Sequence, residues 1–594
     1  MDQNSVINRE QQKTEDTWNM QDLYATEELF QEDAEKLSCM MEEFSSMKGS
    51  LGKGEPELLK TLQLYEQMNE VFESLYVYAF QKYHEDTTNP KYQQMSGEMQ
   101  IIASNLSQAV SWMEPELLSL PENAFEREKM AKYKRFILQI VRQKAHVLDD
   151  EKEALLARAG ELGQSPSNIF SMFNNADIRF PEVEDTEGTK RVLTVGNYIS
   201  FMQSKDRVLR RNAFEALYSV YGQFINTLAA TFYANLKQAD FFAKEHRYQN
   251  AMECSLDTGN IPVAVYKNLV QAVNDRLPLM HRYVRLRKKL LGLEELHMYD
   301  VYAPMVEVPD QTYSFEEAKQ IVKAALAPLG EDYQKVLQQG FDNRWIDVYE
   351  NRGKRTGAYS WTAYGTHPYV LLNYHGTLDD VFTLAHEMGH ALHSWYSNEN
   401  QPYLYAGYLI FVAEVASTCN EALLIHDLLE RSKDKKERMY LINHFLEQFK
   451  GTMYRQTMFA EFEMITHGVV EQGGMLTAEQ INGIYLNLNK KYFGEDMVSD
   501  GQIAYEWARI PHFYTPFYVY QYATGFAAAI AISSKILAGE PGIVEKYKKF
   551  LSGGCSMDPI DLLKICGVDM SSPEPIQEAL DVFERYLEEM EREL

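Results

Sequence analysis

The segment His386-Glu387-Met388-Gly389-His390 carries two imidazoles four residues apart with a carboxylate between them. On an α-helix that spacing stacks both histidines on one face, so each can offer a ring nitrogen to the same Zn²⁺ ion. Glu387 lies one position round the helix, beside the metal, where it can take a proton from activated water. Such a set performs metal-assisted hydrolysis. Two other readings use the same residues. One is a core helix with two satisfied histidines. The other takes Glu387-x-x-His390 and Glu294-x-x-His297 as the paired elements of a di-iron bundle. The di-iron reading leaves His386 without a role, and Glu294–His297 follows Gly292 in a stretch that reads as a helix end. A metzincin extension is excluded, because positions 393 and 396 hold His393 and Tyr396 instead of glycine and histidine.

The elements that must carry these groups are legible. Leu378-Asp379-Asp380 provides a helix start with acidic residues at the positive end of the dipole. Val381, Leu384, Ala385, Met388, Ala391, Leu392 and Trp395 then form an apolar stripe at helical spacing. Downstream, residues 411–424 read as a second, mostly apolar helix with carboxylates at Glu414 and Glu421, seven apart and hence on one face. A carboxylate turned inward on such a helix needs a cation or a metal. Glu414 is therefore the expected third ligand, and Ser417 and Glu421 are expected to orient the ligands by hydrogen bonds.

The stretch from His386 to His393, followed by Ile410 to Thr418, closely resembles the oligoendopeptidase F branch of the thimet oligopeptidase family of zinc metallopeptidases. Four further segments share the resemblance: Trp18 to Tyr24, Gly353 to Tyr359, His367 to Tyr374, and Arg509 to Gly525. They cover nearly the whole chain in the family's order. The resemblance implies a mainly α, two-lobed fold with a deep channel, one zinc per chain at its floor, and cleavage of short peptides at internal bonds.

Between 512 and 522 lie His512, Tyr514, Tyr518, Tyr520 and Tyr522. A tetrahedral intermediate carries a developing oxyanion, and imidazole N–H and tyrosine O–H are suitable donors to it. The resemblance assigns that role to His512 and to tyrosines of this segment, for which Tyr518 and Tyr522 are the choices. Tyr514 and Tyr520 are read as packing. The expected site thus has zinc on His386, His390 and Glu414, with Glu387 as general base and later proton donor to the leaving amine. Cys419 shares the Glu414 helix at an i, i+5 offset and is read as a small core residue.

Residues 359–364 and 369–374 are aromatic and β-branched enough to be strands, joined by Gly365-Thr366-His367-Pro368. An edge strand there can take a peptide as an added strand through main-chain hydrogen bonds, which suits broad specificity. Gly357, Ala358, Tyr359 and His367 are the candidate substrate contacts.

At 594 residues the chain exceeds one typical domain. An N-terminal helical lobe, 1–195, is expected to end in a hairpin over Ile178–Val183 and Arg191–Val195, with a catalytic region over 196–594. The basic run Arg282–Lys289 is read as a solvated helix face. A net charge of −28 argues against nucleic-acid binding, and would favour cationic peptides where acidic groups line the site. Five cysteines without framework spacing fit a reducing cytoplasm. Met1–Ser5 is polar, unlike a signal peptide, and Phe526–Ile532 is too short to span a membrane. A non-catalytic peptide-binding scaffold has no need of all four of His386, Glu387, His390 and Glu414. A carboxypeptidase variant would require a cationic anchor for the substrate C-terminus, which the sequence does not locate.

Overall fold

The computed structural model describes residues 7–121, 128–307 and 311–593, and Met1–Ser5 lies outside them. Of the described residues 71% are helical, the mainly α fold that was expected. It folds into two compact units, each assembled from three separate stretches. The first comprises 1–145, 311–427 and 532–567; the second comprises 146–310, 428–531 and 568–594. The boundary near 195 read from the sequence falls inside the second unit. Among the described residues the strands are short: β1 (Val183–Glu184), β2 (Lys190–Arg191), β3 (Leu296–His297), β4 (Ile346–Asp347), β5 (Tyr359–Trp361), β6 (Tyr369–Leu371) and β7 (Met497–Val498).

In the first unit, helices Glu27–Ser46, Glu55–Glu85 and Pro90–Val110 bury one face each, with Leu37, Phe44, Leu58, Leu62, Leu75 and Met99 in a common core. Trp18 enters that core, donates its indole N–H to Glu85 Oε1 at 2.6 Å, and packs edge-on to Tyr369. A buried ionic group continues from there. Asp347 accepts from Arg9 and pairs with Lys354 Nζ at 2.7 Å, both carboxylate oxygens being used. Paired charges are what make such burial tolerable. This group anchors β4 and the Gly353–Tyr359 loop to the N-terminal residues. The sheet has the order β4-β6-β5, with β4 parallel and β5 antiparallel to β6. The β5–β6 hairpin agrees with the sequence reading; β4, too short for a periodic signal, was not foreseen. With β6 central, β5 is an edge strand.

The second unit is built mainly of helices, including Arg207–Gln223, Ile225–Glu245, Leu277–Leu290, Arg455–Glu471 and Ala478–Phe493. β1 and β2 form the expected hairpin, shorter than predicted, because the turn Asp185–Thr189 closes through backbone bonds to Asp185 Oδ1. β3 pairs in parallel with β7. His297 therefore lies on a strand, bonded to Asp500 and stacked on Tyr299, which removes the second element of the di-iron reading. Part of the basic run is not solvated: Arg287 is 1% exposed and bound to Glu447 and the Asp300 carbonyl. The guanidinium tolerates burial because these acceptors replace water.

Candidate active site

The helix Leu378–Asn400 starts at a capping box, in which Thr377 accepts from the Asp380 N–H and Asp380 accepts from the Thr377 N–H. Six members of its apolar stripe, Val381, Leu384, Ala385, Met388, Ala391 and Leu392, are all at 0% exposure, while the seventh, Trp395, is half-buried. The helix Ile410–Arg431 lies against it at very short range. A Cβ on Gly389 would sit 2.6 Å from Ser417 Cα and 2.8 Å from the Ala416 carbonyl oxygen, so only glycine admits this contact. Asn420 adds a tie, donating its side-chain N–H to the Ala385 carbonyl at 3.0 Å. Neither role is visible in a local pattern, although an asparagine amid apolar helix residues is itself a signal of an inward polar contact.

Close approach converges the expected ligands. Nε2 of His386 and Nε2 of His390 are 3.2 Å apart, and each lies 3.4 Å from Glu414 Oε2. Three ligands at about 2.0–2.1 Å from a tetrahedral zinc are separated by roughly 3.3–3.4 Å, so the donor set fits that ion. These three residues are also the group that can hold a metal among the described residues. Ser417 Oγ donates to Glu414 Oε2 at 2.9 Å, and Glu421 Oε1 is bonded to Nδ1 of His386.

Glu387 is 6% exposed, and its Oε2 has no hydrogen-bond partner among the described residues. Burial raises its pKa; the two histidines oppose this, while Glu414 and Glu421 reinforce it. The neighbouring charges respond to one another in the metal-free protein. Burial disfavours a charged His386, but Glu421, Glu387 and Glu414 outweigh it and hold the ring at about 9. Burial likewise works against Glu414 ionisation, but the histidines and Ser417 bring that carboxyl down to about 2. The cluster concentrates negative charge where a cation would sit. His393 takes no part: its buried ring stacks on Tyr408 at 3.8 Å. Cys419 is at 0% exposure, a core residue as expected.

The second unit holds the other expected group. His512 lies in the turn Pro511–Tyr514, whose approach is fixed by Arg509 bonded to buried Glu506 at 2.7 Å. The His512 ring is parallel to that of Tyr518, and Tyr522 Oη lies 3.4 Å from His512 Nε2. Partial burial lowers the His512 pKa, so the ring is neutral at pH 7 and has one N–H to donate. Tyr514 stacks on Phe170, and buried Tyr520 packs on Tyr266, the packing roles anticipated. Two buried groups behind this segment escaped the sequence reading. Glu463 Oε1 accepts from the Phe517 N–H at 2.8 Å, and His467 packs on the Phe517 ring.

Of the candidate substrate contacts, Gly357 is in a left-handed turn (φ 84°) with its carbonyl bonded to Asn373, and Ala358 leads into β5. The Tyr359 hydroxyl is 2.7 Å from His84 Nδ1. His367 stacks on Trp345 and engages Pro368 O and Asp22 Oδ2, so both of its ring nitrogens are occupied.

The sequence pattern of Peptidase family M3 matches residues 200–582, and that of Oligopeptidase F matches residues 116–180. The chain belongs to peptidase family M3. It is 45% identical to Oligopeptidase PepF of Bacillus subtilis (strain 168), across 99% of this chain and 88% of that protein. Identity to Group B oligopeptidase PepB of Streptococcus agalactiae is 42%, covering 97% and 96% of the two chains. The structure of oligoendopeptidase-F from Enterococcus faecium superposes with a TM-score of 0.75 at 39% identity, over 96% of this chain and 99% of that one. This family member is a peptide hydrolase, and M3 peptidases are metallopeptidases. No helix among the described residues is long and apolar enough to cross a membrane.

Proposed function

We propose that the chain is a zinc-dependent endopeptidase acting on internal bonds of short oligopeptides. The observation that carries this reading is the set of three ligand atoms at tetrahedral separations from two facing helices, with the unpartnered Oε2 of Glu387 beside them. His386, His390 and Glu414 would hold the ion. A bound zinc ion supplies Lewis acidity, lowering the pKa of water and polarising the scissile carbonyl. Glu387 takes the proton of the attacking water and returns it to the leaving amine nitrogen. Glu421 keeps the His386 proton on Nδ1, so that Nε2 presents its lone pair. Neutral His512 and the hydroxyls of Tyr518 and Tyr522 donate to the oxyanion of the tetrahedral intermediate. The outer edge of β5, with Gly357 and Ala358 before it and Tyr359 within it, pairs with the backbone of an extended peptide. His367, with both nitrogens engaged, belongs to the support of the sheet.

The substrate class is supported by the oligopeptidase relatives that the chain matches over nearly its full length. We read the compartment as the cytosol on the five free cysteines, and exclude nucleic acid as a partner on the net charge of −28. The test is metal analysis of the purified protein beside cleavage of peptides of increasing length. One zinc per chain and internal cleavage confined to short peptides are expected. Removal of a single C-terminal residue at each step would replace this reading with a carboxypeptidase.

A further inference from the structure

Past His390, the helix Leu378–Asn400 borders a cavity of about 560 Å³ within the first unit, with Tyr65, Glu73, Trp361, Tyr364, Ser394 and Tyr403 among its walls. Two of these residues relate it to the cluster described above. Ser394 is one helical turn beyond His390, about 6 Å along the axis. Trp361 is the last residue of edge strand β5. An extended peptide advances about 3.3 Å per residue, so one paired with β5 and cut near His390 reaches the cavity within roughly two to four residues.

The walls have a definite chemistry. Six aromatic side chains line the cavity, a residue class whose ring faces attract cations. Glu73, on the helix Glu55–Glu85, is half-buried, and its Oε2 accepts the Tyr364 N–H at 3.2 Å. Among the described residues no lysine, arginine or histidine pairs with it, whereas nearby Glu66 is neutralised by Lys132 at 2.6 Å. Burial raises the Glu73 pKa; the Tyr364 N–H opposes this and the like-charged Glu70 reinforces it. A carboxylate desolvated beside aromatic side chains, with one backbone N–H but no cation to offset Glu70, is stabilised by an arriving positive charge.

We propose that this cavity is a subsite for a positively charged group of the peptide substrate, an arginine or lysine side chain or the free N-terminal ammonium, bound by Glu73 against the aromatic walls. The inference rests on the peptidase reading above and names part of its specificity.

The test uses the full chain loaded with zinc and a fluorescence-quenched parent peptide of no positive charge with an acetylated N-terminus. One series places a single arginine at successive positions around the cut bond, and a second frees the amine. At one position, or with the free amine, KM is expected to fall about tenfold with kcat little changed. Glu73→Gln, which keeps the acceptor for the Tyr364 N–H, should cleave the neutral parent as before and lose that gain. An arginine preference retained by Glu73→Gln, or no preference at any position in the unaltered protein, overturns the proposal. Binding of the same peptides to Glu387→Gln protein, read by fluorescence anisotropy, separates the subsite from turnover. There too the charged peptide should bind about tenfold tighter, and adding Glu73→Gln should abolish the difference. Failure to cleave every peptide would sink the peptidase reading, while the anisotropy comparison would still decide the subsite.

Discussion

Nδ1 of His386 is hydrogen-bonded to Oε1 of Glu421, two helical turns beyond Glu414 on the facing helix. The bond sets Nδ1 toward Glu421 and Nε2 toward Glu414, so that a metal ion displacing the Nε2 proton meets a ring already oriented for it. Glu421→Ala should therefore weaken metal binding by about 10–100-fold without removing a ligand. Competition against a chelator of known affinity measures this. Unchanged affinity would show that the ring is oriented by its packing alone.

Glu387→Gln keeps the shape of the side chain and removes its basicity. Bound zinc should stay at one per chain while kcat falls by about 10²–10⁴. Peptide cleavage at the original rate by the metal-loaded variant would remove Glu387 from the proton-transfer role.

Glu414→Ala and His512→Ala should separate metal binding from oxyanion stabilisation. The first should lose metal under dialysis that leaves the unaltered protein loaded. The second should retain it and lose about 10²–10³ in kcat. Metal analysis of both variants, paired with single-turnover kinetics, checks the distinction; equal loss of zinc in both would reverse the assignment.

Gly389→Ala would force its new methyl group against Ser417 Cα and the Ala416 carbonyl. These are backbone atoms and cannot rotate away. The helix carrying Glu414 must shift, so thermal stability should drop, with a cost of about 1–3 kcal/mol, and metal occupancy should fall with it. Calorimetry with metal analysis tests this, and a variant as stable and as well loaded as the original would refute the close packing.

Burial raises the Glu463 carboxyl to about 8, against the opposing hydrogen bond from the Phe517 N–H. The folded protein keeps this proton up to about pH 8, while the unfolded chain releases it near the ordinary 4.5. The folded state thus binds more protons between those values, and the contribution of Glu463 to stability falls as pH rises through that window. Glu463→Gln removes the titration. Its stability relative to the original protein should improve between pH 5 and pH 8 by on the order of a few kcal/mol. Denaturant unfolding at the two pH values reads this difference, and identical slopes would mean that Glu463 is ionised in the folded state.

Sequence alone determined the features that depend on local periodicity. The i, i+4 histidines, the apolar stripe from Val381 to Leu392, and the carboxylates seven apart at 414 and 421 all follow from 3.6 residues per turn, which any helix imposes. The β5–β6 hairpin was legible because aromatic and β-branched content on either side of Gly365-Thr366-His367-Pro368 is a local signal too. Tertiary structure decided what depends on chain segments far apart. Arg9 meets Asp347 across 338 residues, β4 joins β6 with only two residues of its own, and Gly389 lets two helices approach until three ligand atoms converge. Arg287, read as solvated, is buried because acceptors from other segments surround it. Glu73 reads in sequence as one more carboxylate on a helix rich in them, and only folding sets it in an aromatic cavity beside the metal-ligand helix. Periodicity orients a side chain on its own element, whereas the partner it meets is chosen by packing, where burial of every polar group must be satisfied at once.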